Sequence, residues 1–408
     1  MVRLLIVIAV AGACTRTSEK YCGLHPEDLA HCPPSDAPVD PRPPCMGDPD
    51  CPAATPHCLL EGGPLGVCVG CIDSSDCTEP GKASCDPDTR TCRSCVEHTD
   101  CASMACLPDG TCGTDDNVIY VDENGTDTGT CTVGARCKSI AYAYELVTAT
   151  RFHIKLSGTI TETVTLSTKR ATLLADPTAK LVGIASPALK VQKTTVNIFD
   201  LEIACASAIG GLKSEMTSTS VLRNVYIHGC GLGIENKGGF LNISRSRITE
   251  NTGGGISLDA ASAFSITNTF IYRNGSPDSA KGGVSIAATV TGMNRFEHNT
   301  VADNQIKPAV TVAGGVTCTL TNFTEMANNI FSGNTPPNTL GCDPARSKSE
   351  ADSATLRFKS TTPPYDYHLT SGSPAVDQID NSALSEDFDG QFRPQGVRKD
   401  FGADELKP

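Results

Sequence analysis

Phe240-Leu241-Asn242-Ile243-Ser244-Arg245-Ser246-Arg247-Ile248-Thr249-Glu250-Asn251, followed by Gly255-Ile256, is the stretch on which the fold turns. Short runs alternate apolar and polar residues, as strands with one buried face do. Ile243 and Ile248 stand five residues apart. The same pair recurs as Ile198 and Ile203, Leu222 and Ile227, Ile266 and Ile271, and Phe296 and Val301, and Ile330 continues the second column. The repeat interval is 21 to 30 residues, the range of a solenoid. One apolar triplet per unit is too small to form a core. Stacked in parallel coils about 4.8 Å apart, such triplets form continuous columns of Ile, Leu and Val.

Two further regularities share this register. Glycine flanks an apolar residue after each anchor: Ile209-Gly210-Gly211, Gly233-Ile234, Gly255-Ile256 and Gly283-Val284. Three residues past the anchors stand Cys230, Asn251, Asn274 and Asn304, with Asn334 one position late. Asn tolerates the left-handed backbone of tight turns, and stacked amides can hydrogen-bond between coils. This resembles the asparagine ladder of the pectate-lyase-like β-helix family, so these asparagines are given a structural role. Cys205 and Cys230 lie about one turn apart, as do Cys318 and Cys342, and each pair is expected to staple adjacent coils.

The C-terminal residues carry a second resemblance. Asp366-Tyr367-His368-Leu369 precedes Ser371-Gly372-Ser373-Pro374-Ala375-Val376-Asp377. Asp387-Phe388-Asp389-Gly390 leads to Arg393-Pro394, and Asp400-Phe401-Gly402-Ala403-Asp404-Glu405 closes the motif. This resembles the terminal signature of bacterial right-handed parallel β-helix surface proteins, often lipid-anchored. The resemblance spans roughly 117–408 and implies fold and location without implying any particular chemistry. The expected fold is all-β: a right-handed parallel β-helix over 151–345 with a C-terminal cap over 346–408. Residues 117–150 form the N-terminal cap, with a strand at Val118–Val121, a loop closed by Cys131 and Cys137, and an amphipathic helix over 138–148 in which Ile140, Tyr144 and Val147 share a face.

The region ahead of this follows a different logic: of the chain's 21 cysteines, twelve fall within 45–112. They form three repeats: Cys45, Cys51, Cys58 and Cys68; Cys71, Cys77, Cys85 and Cys92; Cys95, Cys101, Cys106 and Cys112. Each repeat places an Asp before its second cysteine: Asp50, Asp76 and Asp100. Such short units need disulfides to fold, paired mostly within each repeat, and the sequence leaves three connectivities per repeat open. Cys68-x-x-Cys71 and Cys92-x-x-Cys95 approach zinc-ribbon spacing, but that pairing would orphan Cys77 and Cys85.

Residues 14–44 are Pro-rich, interrupted by Cys22 and Cys32, which are expected to pair, and read as an extended tether. Residues 1–13 carry Arg3, an apolar run from Leu4 to Val10, and Ala11-Gly12-Ala13 before Cys14. The run is far below the roughly 20 residues that span a bilayer, so it reads as a cleaved signal. It resembles a lipoprotein signal with lipid on Cys14, although Ala11 stands where Leu is preferred. An ordinary cleavage site would also cut before Cys14. Lipidation leaves 21 − 1 = 20 cysteines, an even number. Thr15 in place of Asp is what the resemblance reads as outer-membrane sorting, surface or periplasm facing, with secretion the alternative.

The net charge of −13 argues against a nucleic-acid partner. The membrane partner is reached through the lipid, and the external ligand is an unidentified polysaccharide or protein. For catalysis the best column is Glu250, Arg273 and Asp303 on successive coils, with His228 and Arg247 near. Stacked alternating charge reads more readily as an ion ladder on a sheet face. Asp387 and Asp389 are weak Ca²⁺ candidates, because Asp-x-Asp-Gly more often builds a turn. No other cofactor or metal is expected. The chain therefore reads as an exported, lipid-anchored, non-catalytic adhesive, binding or structural scaffold. The alternative is a polysaccharide-active lyase, hydrolase or epimerase. Metabolic labelling with a palmitate analogue should mark the wild type and spare Cys14→Ser; equal labelling of both would exclude lipidation at Cys14.

Overall fold

The Asp before the second cysteine of each N-terminal repeat closes a short turn. Asp50 Oδ2 accepts from the Met46 amide at 2.8 Å, Asp76 Oδ2 from Ile72 at 2.7 Å and Asp100 Oδ2 from Val96 at 2.8 Å. Each repeat then pairs its first cysteine with its third and its second with its fourth: Cys45–Cys58 and Cys51–Cys68, Cys71–Cys85 and Cys77–Cys92, Cys95–Cys106 and Cys101–Cys112. This settles the connectivity that the spacing left open. It also leaves no thiolates for a zinc ribbon.

The computed structural model describes residues 43–60, 65–79, 81–259, 261–287, 294–307, 311–319 and 325–407. Cys14, Cys22, Cys32, the signal and most of the tether lie outside them. Two units are present, Met1–Arg93 and Ser94–Pro408. The first holds two cysteine repeats, with a three-stranded antiparallel sheet (Pro44–Cys45, His57–Leu59, Gly66–Val69) and a hairpin (Ser84–Cys85, Cys92–Arg93). The third repeat belongs to the second unit. Its Ala105 and Leu107 are buried with Val118, Tyr120 and Leu174.

The second unit is a right-handed parallel β-helix. Among the described residues its coils stack into three parallel sheets of nine, nine and eight strands. The first sheet runs from Val118–Asp122 to Glu325–Ala327, the second from Thr159–Thr161 to Lys348–Glu350, and the third from Val164–Ser167 to Thr339–Leu340. Val118–Asp122 is therefore the first rung of the helix itself, paired with His153–Ser157. The short helix α1 (Ile140–Glu145) is capped by Ser139, whose hydroxyl accepts from the Tyr142 amide at 3.1 Å. Ile140, Ala143, Tyr144 and Val147 complete the core at that end. Disulfides close Cys131–Cys137 and staple coils at Cys205–Cys230 and Cys318–Cys342.

The anchor column keeps its register from Ile203 through Ile227, Ile248 and Ile271 to Val301. The next partner is Phe331, not Ile330. Phe331 points into the solenoid core, and Ile330 faces outward into a second apolar cluster. With Phe331 as anchor, Asn334 falls three residues past it like the others. Likewise Leu212, not Ile209, is the apolar partner of Ile234.

The turn that follows the anchors explains the Asn and Gly columns together. Gly229, Glu250, Arg273, Asp303 and Gly333 all have left-handed backbone, with φ of 66°, 53°, 56°, 53° and 60°. This reversal aims the next side chain under its neighbours. Asn304 Oδ1 accepts from the Asn274 amide at 2.9 Å and from Asn274 Nδ2 at 3.0 Å, and its Nδ2 donates to Ile271 O and Asn334 Oδ1, both at 2.9 Å. Asn251 and Asn274 repeat the pattern. A Cβ on Gly283 would lie 2.7 Å from Gly315 O and 2.9 Å from Asn304 Nδ2, and one on Gly255 would lie 2.4 Å from Gly283 O. Only glycine leaves room for the amide stack. A second ladder, on the turn before the anchors, was not read from the sequence. It runs through Ser246, Thr269, Asn299 and Asn329, with Asn299 Nδ2 donating to Asn329 Oδ1 at 3.1 Å.

Lys348–Glu350 pairs with Ile330–Ser332 as the last strand of the second sheet, so the solenoid runs past the expected boundary at 345, and residues 353–407 fold back along the outside of that sheet. Leu356, Phe358, Tyr367, Leu369, Ala375, Phe388 and Ala403 bury against the outward Phe270, Tyr272, Ala302 and Ile330. Because Asn304 uses every hydrogen-bonding group of its amide in a buried site, Asn304→Ala should cost about 2–3 kcal/mol in chemical denaturation, while the exposed Asn381→Ala should stay within about 0.5 kcal/mol. Equal effects would remove the ladder from its structural role.

Candidate functional site

The column Glu250, Arg273 and Asp303 is real as a stack of turn residues, but its members have different partners. Glu250 Oε1 lies 4.0 Å from Arg273 Nε. The Arg273 guanidinium also lies 4.0 Å over the ring of Tyr365. Asp303 accepts hydrogen bonds from Tyr367 and, at 2.7 Å, from Ser353, both in the folded-back segment. Burial and the neighbouring Asp303 carboxylate raise the Tyr367 phenol well above its usual range. Asp303 thus anchors the C-terminal segment to the solenoid. His228 stands apart, 2.9 Å from Glu202 Oε1 and stacked on Tyr226, while Glu202 also meets Lys180 at 2.6 Å. Arg247 is held between the rings of Tyr226 and Phe388.

The terminal acids are mostly structural. Asp387 accepts from the Gln391 amide at 2.7 Å and the Glu405 amide at 3.1 Å, one to each oxygen. These bonds hold its carboxylate to its own turn and to the closing residues of the motif. Asp400 accepts from the amides of Asp377 and Leu406, at 2.6 and 2.8 Å. Burial pushes its carboxyl up to about 6. Arg393 is fully buried and pairs with Glu405 at 2.8 Å. Its guanidinium also donates to the carbonyls of Gly402 and Ala403, at 2.9 and 2.8 Å.

Two polar clusters were not foreseen. The first lines a cleft of about 370 Å³ formed by Arg295, Glu297, Glu325, Arg346, Asn381, Ser382 and Ala383. Arg295 and Glu325 are partners on adjacent coils of the first sheet. Glu297 is buried and bonded to Arg295, Asn328 and Ser382. His298 Nε2 lies 2.9 Å from Ser382 Oγ, the outline of a base beside a nucleophile. Ser382 Oγ, however, also donates to Glu297 Oε1 and accepts from the Leu384 amide. Burial, reinforced by Arg393, holds His298 well below the usual imidazole range, so an imidazolium intermediate is disfavoured. The pair serves to fasten the segment.

The second cluster contains His368, Asp366, Asp389 and Asp404. His368 Nδ1 bonds to Asp366, and Nε2 lies 3.3 Å from Asp389 Oδ2. Burial alone would lower the imidazole, but Asp389, Asp404 and Asp366 together raise it to about 9. The available signal was the Asp366-x-His368 spacing, which places both side chains on one face of a strand.

The outward face of the third sheet is half-exposed and regular. Lys190, Lys213, Glu235, Ser257 and Ser285 are successive partners along it. Lys190 and Lys213 meet Glu215 at 3.2 and 3.1 Å.

The family model of the right-handed β-helix region matches residues 186–342. That stretch lies inside the three-sheet parallel solenoid, which the disulfide-rich repeats precede. Among solved structures it is similar to pectate lyase Pel9A, at 17% identity over 72% of this chain and 97% of that chain, with a TM-score of 0.42. Similarity at that level says nothing of what this chain acts on. No curated protein is significantly similar.

Removing the buried charge of Arg393 strands Glu405, a loss of roughly 3–5 kcal/mol. Arg393→Met should make residues 353–407 sensitive to limited proteolysis while a fragment ending near 352 persists. Resistance equal to wild type would show that the guanidinium is not what holds the segment.

Proposed function

We propose that the chain is an exported cell-surface scaffold, anchored by lipid on Cys14, whose β-helix presents a binding face without catalysing a reaction. The observation that carries this reading is the commitment of Asp303 to Tyr367 and Ser353. The one charged column legible in the sequence is closed at that end by the chain's own C-terminal segment, so its three members share no open groove. Nine disulfides among the described residues support an oxidising compartment. The regular Lys, Glu and Ser column of the third sheet is suited to an extended polymer or a protein strand laid along the coils.

A polysaccharide-active enzyme is the second reading, favoured by the cleft in which Glu297 and Glu325 stand among two arginines. Carboxylates are the groups that glycosidic chemistry needs. Incubating the exported chain with acidic and neutral polysaccharides, with and without Ca²⁺, separates the readings. The scaffold reading expects retention on a polymer with no new reducing or unsaturated ends. Turnover abolished by Glu325→Gln, Glu250→Gln or Asp303→Asn would refute it.

A further inference from the structure

The fold accounts for nearly every buried charge in the C-terminal segment except the group around His368. We propose that His368, Asp389 and Asp404 form a binding site for a divalent transition metal of the zinc class, which clamps the C-terminal segment together.

The argument starts from the imidazole. Asp366 takes the Nδ1 hydrogen and also accepts the His368 amide at 3.1 Å, fixing the ring and its tautomer. A carboxylate behind one nitrogen, with the other nitrogen directed at ligand oxygens, is the arrangement that orients metal-binding histidines. Nε2 is shielded from solvent and makes no aligned hydrogen bond, although it lies 3.3 Å from Asp389 Oδ2. In the metal-free chain a proton on Nε2 faces Asp389 without good alignment, and a divalent cation in place of that proton would be bound by the nitrogen and the carboxylates together.

The oxygens are placed for this. Ligand atoms of His368, Asp389 and Asp404 all lie within 4.8 Å of one another. Asp404 is 5% exposed and uses Oδ2 to accept from the Leu369 amide at 2.6 Å, and the carboxylate has two oxygens. Asp389 lies on an exposed turn with its side chain 40% accessible, giving both an entry path and the freedom to close the last ångström. Ligands on a tetrahedral zinc ion stand roughly 3.3 Å apart at bonds near 2.0–2.1 Å, so a small inward movement of Asp389 completes the set. Imidazole with two carboxylates suits zinc, whereas Ca²⁺ prefers six or more oxygens. The remaining position is left to water.

The three ligands come from the strand Asp366–Leu369, the turn at Asp389 and the chain end at Asp404. An ion held by all three binds the folded segment and not the unfolded chain, and therefore stabilises it. Phe270 and Phe388, with ring centroids 5.0 and 5.6 Å from His368, wall the site on its apolar side.

The disulfide-intact full chain, stripped with chelator, is titrated with Zn²⁺ in a calorimeter. One tight site per chain is expected, together with a zinc-dependent rise in unfolding temperature. His368→Gln and Asp389→Asn should each weaken binding by about tenfold or more. In each variant the unfolding temperature is compared with and without Zn²⁺, so that loss of the zinc-dependent rise is read separately from any change in the zinc-free baseline. Co²⁺ loading should give weak visible bands without thiolate charge transfer, distinguishing this site from the N-terminal cysteines. Wild-type affinity no greater than that of Asp389→Asn, or cobalt bound through sulfur, would overturn the proposal.

Discussion

Everything in the solenoid depends on adjacent coils superposing their turns. Backbone hydrogen bonds run from coil to coil, and a strand can shift register unless its turn is pinned. From the coil of Asn251 onward the pin is a buried amide stack. A left-handed residue reverses the chain, the next asparagine inserts beneath it, and a glycine in the neighbouring coil leaves the space. Each amide bonds the one beyond it and a carbonyl of the coil before. A buried amide is tolerated only when all its groups are bonded, so the stack fixes register more strictly than apolar side chains, which slide past one another at little cost.

Once register is fixed, the outward positions of the second sheet decide how much of it water can reach. Tyr226, Arg247 and Phe270 are successive partners, as are His228, Thr249 and Tyr272. The face becomes apolar toward the C-terminal coils, where Phe270, Tyr272, Ala302 and Ile330 would leave a hydrophobic strip. The folded-back segment covers that strip with Phe358, Tyr367, Leu369 and Phe388. A small layer of this kind has little core of its own, and Arg393 organises it from within by gathering carbonyls of residues 402 and 403 around one guanidinium.

The same cover reassigns the charged residues beneath it. Asp303 becomes an anchor for Tyr367 and Ser353, Arg273 lies against Tyr365, and Glu250 is left as a loose partner of Arg273. The third sheet, with its Lys and Glu cross-links, keeps a polar outward face suited to solvent or to a long ligand. Burial and charge therefore divide the solenoid into a covered side and an open side, and this division, more than any single residue, bears on function.

The sequence by itself determined the repeat, the parallel coil and the staples, because these depend on local spacing: apolar alternation, left-handed turn residues and cysteines one coil apart. Five of the six anchors read from the sequence keep their register, Ile160 and Leu181 extend the column ahead of them, and the sixth is informative. Ile330 and Phe331 are both apolar, and only the existence of a second cluster outside the coil tells which one faces in. The second asparagine ladder was hidden because Ser246 and Thr269 hold its first places with different side chains. The candidate column was visible as a column, but Tyr365 and Tyr367 lie more than 60 residues away from Asp303, and no periodicity reports such a contact. The His368 cluster is of the same kind. Only the Asp366-x-His368 spacing is local; tertiary folding alone brings Asp389 and Asp404 to that imidazole, because the apolar strip on the second sheet draws the segment that carries them into a compact layer.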